Sequence, residues 1–275
     1  MPALRRTLGR SFAPSAFVLL AVGVAALPAR ADDPKPAPAP APEAKPVPLV
    51  GVGAPKVAIT NDSGAVQTCR EQAAQAFLIR SNWFPHTTDA DKLKEARKLF
   101  EDSLKYRTEK YGYFEGFGSP KSNPHPPKFY AKSLTFMGMS VQVNERIIPA
   151  LKCVEAALKA SPAGNEYKPR AMGGIRFKNT YRGMEISNHV YGIAVDIEPD
   201  RNSCCGCVAP WPDNPLCKAK GKTVWERMAM PKSWVDTFER YGFYWLGHDV
   251  QQDPMHFEFL GDPDKVVDGA PPAAP

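Results

Sequence analysis

The sequence predicts an α+β fold: a small, mainly antiparallel sheet with flanking helices, preceded by a helical N-terminal segment. Two observations carry this. Helical periodicity dominates residues 66–112, whereas short strand-like runs with helices between them fill the region after residue 130. No internal repeat is visible, which leaves one sheet built from separate short strands.

Taken in order, "TCREQAAQAFLIRSNW" is apolar on one face and reads as helix. "TTDADKLKEARKLFEDSLKY" follows with a Thr/Asp start signal and with Leu93, Ala96, Phe100 and Leu104 at helical spacing. Residues 110–128 are rich in Gly, Pro, Asn and aromatics and read as a long loop. "SLTFMGMSVQV" alternates like a strand, and "NERIIPALKCVEAALKAS" is a helix capped by Asn144. "AMGGIRF" is a short strand with a close glycine approach. "HVYGIAVDIE" is a buried strand. "PKSWVDTFERYG" is a helix with Pro at its start and Gly242 just past its end. "FYWLG" and "MHFEFL" are the last two strands.

The chain ends are of a different kind. Residues 1–31 have Arg5, Arg6 and Arg10 ahead of an apolar run, then Ala29-Arg30-Ala31, a small-x-small cleavage pattern. This is the layout of a secretory signal peptide, and the apolar run is too short for a membrane-spanning helix in the mature chain. The Arg5-Arg6 pair hints at twin-arginine export, but the ordinary secretory route is the expectation. Residues 32–54 form a Pro/Ala-rich linker of extended, semi-rigid character. A helical extension is expected over 55–126, a metal-bearing domain over 127–262, and a frayed tail over 263–275.

The formal charge of +6 falls to about +2 once the four leader arginines are removed, leaving 31 basic against 29 acidic residues. No basic stripe with interleaved aromatics is present, so nucleic acid is not an expected partner. All six cysteines lie in the exported part, which favours disulfides. The economical pairing joins Cys69 to Cys153 and leaves Cys204, Cys205, Cys207 and Cys217 to close the 204–217 loop. Oligomeric state is not legible.

Chemistry concentrates in two stretches. "SNHVYGIAVD" holds His189 and Asp196, seven residues apart. On a straight strand an odd separation points them to opposite sides. His189 is therefore expected in a loop, Asp196 on the strand, and a turn at Gly192. "DPMHFEF" holds Asp253 and His256. Two histidines and a carboxylate fit a catalytic zinc site that keeps a position open for water. Asp253, beside a turn-fixing proline, is then the general base. His248 is a fourth ligand, a substrate-rim residue or surface, with the rim preferred because a fourth protein ligand closes the site.

At these residues the chain resembles the zinc D-alanyl-D-alanine carboxypeptidases of the vancomycin-resistance type, through Ser-x-His-x-x-Gly-x-Ala-x-Asp and acid-x-x-His. The same core is shared with the L-alanyl-D-glutamate endopeptidases of phage endolysins and with the lysostaphin and hedgehog group. The resemblance covers about residues 130–262. It implies His189, Asp196 and His256 as zinc ligands, Asp253 as catalytic acid/base and Ser187 as a substrate-holding serine. It also implies an upstream arginine near the scissile bond: Arg176 first, Arg182 second. The acid is Asp where many carboxypeptidases have Glu, as in the endolysin type, and Met255 stands where Trp or Pro is usual. The implied function is an exported, periplasmic or cell-wall zinc metallopeptidase acting on peptidoglycan stem peptides, first as a D,D-carboxypeptidase. The alternatives are the L-alanyl-D-glutamate endopeptidase and a catalytically silent zinc-containing cell-wall binding protein.

Overall fold

The structure, a computed structural model, describes residues 56–181, 185–208, 210–219 and 221–269. The leader, the Pro/Ala-rich linker, residues 270–275 and Arg182 lie outside the described residues.

The first elements are strands. β1 (Ala58–Thr60) and β2 (Val66–Thr68) form an antiparallel hairpin. Short 3-10 turns follow at Ala76–Leu78 and Arg80–Trp83. The continuous helix expected from residue 66 is therefore absent before residue 90. Long-range partners take up the backbone there. Cys69 is bonded to Cys153, the Gln72 N–H donates to the Arg240 carbonyl at 2.9 Å, and the Gln75 N–H donates to the Leu260 carbonyl at 2.9 Å. Local propensity gives way to these contacts.

α1 (Ala90–Tyr111) matches its expected position. The Asp89 carboxylate caps it by accepting from the N–H groups of Asp91 and Lys92. Its buried stripe differs from the apolar one read in the sequence. Ala96, Ser103, Arg107 and Tyr111 face inward, and Leu93 is exposed.

After the long loop come β3 (Ala131–Phe136) and β4 (Met139–Asn144), a hairpin where one strand was expected. Met137 and Gly138 both have positive φ, 48° and 84°, the signature of a two-residue primed turn. Asn144 then accepts from the Arg146 N–H and opens the turn leading into α2 (Ile148–Lys159). The remaining elements are α3 (Ala163–Glu166), β5 (Met172–Gly173), α4 (Asn188–Tyr191), β6 (Ala194–Ile197), α5 (Lys232–Arg240), β7 (Phe243–Trp245) and β8 (His256–Phe259).

The central sheet has the order β5-β6-β8-β7, and every pairing is antiparallel. Strand alternation sorts its residues. Val195, Ile197, Phe243, Phe257 and Phe259 enter the main core with Leu151, Val154 and Leu158 of α2 and Trp234, Val235 and Phe238 of α5. Phe238 stacks on Phe257 at 4.4 Å. Alternating positions on β6, β7 and β8 bring Asp196, Tyr244, His256 and Glu258 to the opposite face. Leu78 and Ile79 pack with Tyr244 there, so the N-terminal turns cover part of that face.

Three disulfides bind the fold: Cys69–Cys153, Cys204–Cys207 and Cys205–Cys217. The start of the expected frayed tail is ordered. Val266 and Val267 are buried, Val267 bridges to Cys69, and Asp264 pairs with Lys110 and Arg146. Burying the two valines anchors this segment. Among the described residues no helix is long and apolar enough to cross a membrane.

Candidate active site

The seven-residue separation of His189 and Asp196 is resolved by a tight helical turn. The Ser187 hydroxyl caps α4 by accepting from the His189 N–H at 3.3 Å. Gly192 ends it in the left-handed region at φ 70°, and a Cβ there would come within 2.7 Å of the Asn144 nitrogen. The turn resets the facing of the chain before β6 begins, so His189 and Asp196 meet. The register of β6 against β8 sets Asp196 directly opposite His256. One helical turn and one cross-strand pair thus bring the three residues together.

Their ligand atoms lie within 4.8 Å of one another, and all three residues are buried. His189 Nδ1 lies 2.6 Å from the Gly174 carbonyl, and His256 Nε2 lies 3.0 Å from Glu258 Oε1. Those acceptors assign the ring hydrogens to the outer nitrogens. The inner nitrogens, His189 Nε2 and His256 Nδ1, then both present lone pairs, only 3.1 Å apart. Asp196 adds oxygens at 3.2 Å from the first and 2.9 Å from the second. Three electron-pair donors converging on one point suit a divalent cation, and the outer acceptors are the partners that metal-bound imidazoles use. The residues fit zinc.

The electrostatics agree. Burial raises the Asp196 carboxyl, but the two imidazoles outweigh it and hold the group well below the usual carboxylate range. Burial lowers His189. Burial also opposes the charge on His256, yet hydrogen bonds and the charges of Asp196 and Glu258 push it up to about 10. A cation held by these residues would take the place of that proton.

Asp253 sits at the turn into β8. Trp245 Nε1 donates to the Pro254 carbonyl at 3.0 Å and pins this turn. Burial pushes Asp253 up to about 6. Its Oδ1 is buried without a hydrogen-bond partner, and its Oδ2 lies 3.7 Å from Cys207 Sγ. Cys204, Cys207 and Asp253 also converge, but the two sulfurs are bonded to each other and offer no thiolate to a metal.

Arg176 is half-exposed at the rim, and its guanidinium pairs with Asp196 Oδ2. Ser187 is almost fully buried, and its hydroxyl acts on the His189 turn. His248 is turned away toward Glu239, 2.9 Å from its Oε1, with its ring edge-on to Trp245. The sequence analysis assigned no role to Asn188, Arg107 or Glu258. The signal for Glu258 was available: two residues after His256 on a strand is the same face.

Residues 181–259 match the family model described as D-alanyl-D-alanine carboxypeptidase. No curated protein and no solved structure matches the chain. The matched segment contains His189, Asp196, Asp253 and His256, while Arg176 and Arg107 precede it. The match is a likeness of this segment to that family and does not single out the vancomycin-resistance subtype. It supports a peptidase of the D-alanyl-D-alanine carboxypeptidase family, acting on the cell wall, for the segment that builds the site.

Proposed function

We propose that the protein is an exported zinc metallopeptidase that cleaves the peptide stem of peptidoglycan, as a D-alanyl-D-alanine carboxypeptidase. The observation that carries this reading is the convergence of His189, Asp196 and His256 beside Asp253, whose Oδ1 is buried and unpaired. The leader-like residues 1–31 and three disulfides support an oxidising, extracytoplasmic location.

His189, Asp196 and His256 would hold the metal. A zinc ion so held polarises a carbonyl and lowers the pKa of a water. Asp253 accepts a proton from the attacking water through its unpaired oxygen and passes it to the leaving amine. Arg176, the rim cation, offers its remaining N–H groups to the substrate and helps hold Asp196 in place. Ser187 acts on the site through the His189 turn, which its hydroxyl caps. Arg182 remains the second candidate for the substrate arginine, and His248 is proposed as an outer-rim residue.

Two measurements test this. The purified protein should bind about one zinc per chain, and His256→Ala should lose it; full zinc retention in that variant at equal chelator concentration overturns the ligand assignment. Mass spectrometry of stem peptides after incubation should show loss of the terminal alanine. Cleavage between alanine and glutamate instead assigns the endopeptidase, the reading favoured by Asp at position 253. Bound zinc with no cleavage assigns a binding protein.

A further inference from the structure

Beside Asp253 lies a second group of ligand-type side chains that the proposed mechanism leaves unused. Cys204 Sγ, Cys207 Sγ and an Asp253 carboxylate oxygen lie within 4.8 Å of one another. Asp253 Oδ2 is 3.7 Å from Cys207 Sγ, and Oδ1 is buried with no hydrogen-bond partner. Cys204 is fully buried, its sulfur 3.7 Å from the Gln251 carbonyl. Cys207 is half-buried and sits between the exposed Gly206 and Val208.

As a staple the Cys204–Cys207 bond does little. It spans a sequence separation of 3, against 12 for Cys205–Cys217 and 84 for Cys69–Cys153. The constraint on the unfolded chain grows with loop length. Both sulfur-bearing residues of Cys69–Cys153 are buried, whereas Cys207 can be reached from solvent. Accessible disulfides are the labile ones. Opened, the pair reads Cys-x-x-Cys, the ligand spacing of one arm of a structural zinc site. A carboxylate with a free oxygen already stands next to it.

We propose that Cys204, Cys207 and Asp253 form a second zinc site when the Cys204–Cys207 bond is reduced, and that this site stops hydrolysis by taking Asp253 as a ligand. The reductant is a dithiol. Its first thiolate attacks Cys207 Sγ, the sulfur open to solvent, and Cys204 leaves as a thiolate that takes up a proton. Its second thiol attacks the mixed disulfide and releases Cys207. Two electrons and two protons pass to the pair, and the reductant leaves as a disulfide. Zinc then displaces the two thiol protons to solvent. It accepts two sulfurs and one carboxylate oxygen, with water in the fourth position. A carboxylate held by a cation no longer accepts a proton from the attacking water. The metal site stands on its own residues; its effect on hydrolysis rests on Asp253 as the base proposed above.

For the test, the mature protein is reduced with dithiothreitol, desalted without oxygen and loaded with zinc or cobalt(II) alone. Peptide mapping after alkylation should find Cys204 and Cys207 free and the Cys69–Cys153 bond intact. The oxidised form should hold about one metal per chain and the reduced form about two. The cobalt form should gain a near-ultraviolet thiolate charge-transfer band only on reduction. His256→Ala should hold no metal when oxidised and still gain one on reduction, which separates this site from the catalytic one. Asp253→Asn should lose the second metal at a chelator concentration at which reduced wild type keeps it. Cys205→Ser with Cys217→Ser should retain the gain; where that variant does not fold, the band intensity of reduced wild type should correspond to two thiolates per metal. A reduced pair that gains no metal overturns the proposal. So does a bond that stays closed until the protein unfolds, an Asp253→Asn variant that keeps the second metal, or four thiolates at the metal. Added zinc should abolish stem-peptide hydrolysis by the reduced protein, with recovery on reoxidation, and leave the oxidised protein active. Equal hydrolysis with one and with two metals bound overturns the switch. No hydrolysis in either form overturns the proposed function and leaves the metal site to the stoichiometry.

Discussion

Asp253 is a residue whose environment suits chemistry better than stability. A buried carboxyl with one unpaired oxygen is held in its protonated form more strongly than in the unfolded chain, moving from 3.8 to about 6. Because the folded-state value is raised, its contribution to stability is full below pH 3.8 and is lost as pH rises through about 6. At pH 7.5 the ionised group costs the metal-free fold up to about 3 kcal/mol. Asp253→Asn keeps the shape and removes that cost. The metal-free variant should therefore melt above wild type at pH 7.5, with the gap closing toward pH 4. The same substitution should retain zinc and lose about 10²–10⁴-fold in hydrolysis. In wild type, kcat/KM should fall as pH drops through about 6 or lower, since a bound cation favours the carboxylate further. A wild-type hydrolysis rate in Asp253→Asn makes Asp253 a turn residue and moves the search for the base to Glu258.

At the level of elements, the loop 204–207 is the wall behind Asp253. The Gly206 N–H donates to the Gln251 carbonyl at 3.1 Å, and Cys207 Sγ touches the Asp253 carboxylate at 3.7 Å. The Cys204–Cys207 bond keeps this wall in place. Replacing both cysteines by alanine should leave zinc binding intact and lower kcat by about 10–100-fold through misplacement of the base. Unchanged kcat would mean that the bond does not position the base. The elements also show what the sequence could reveal. β6 and β8 were legible because unbroken apolar runs with polar residues at fixed places have few readings. The hairpin at Met137-Gly138 was missed because methionine is not a usual primed-turn residue. The helix expected over 66–83 was wrong because Gln72, Gln75 and Cys69 find partners almost two hundred residues away or across a disulfide, and no local pattern encodes that. Arg107 escaped because a charge in a charged helix reads as surface. Its inward position follows only from the tertiary placement of α1, with Ala96, Ser103 and Tyr111 on the same stripe.

For the whole molecule, the matched segment is not a unit that stands alone. Residues 181–259 contain all three proposed ligands and Asp253, yet the strands that carry Asp196 and His256 bury both faces. One face rests on α2 and α5, and α2 lies before the matched segment. The other carries Arg107 and the Leu78 and Ile79 contacts from the N-terminal part. The Cys69–Cys153 bond ties these layers across a separation of 84 residues. In the chain-entropy treatment a loop of that length stabilises the fold by about 4.6 kcal/mol. Cys69→Ala with Cys153→Ala should therefore lower stability by an amount of that order while leaving the proposed metal ligands in place. Removing residues 56–126 has a different consequence. It exposes the apolar side of Tyr244, Leu246 and Leu260 and removes Arg107, which donates to Asn188. The truncated chain should show weak near-ultraviolet dichroism, broad thermal unfolding and no stoichiometric zinc. The double cysteine variant, by contrast, should keep a cooperative transition and its metal. A truncated chain that folds cooperatively and binds zinc like wild type would mean that the N-terminal part is an appended module.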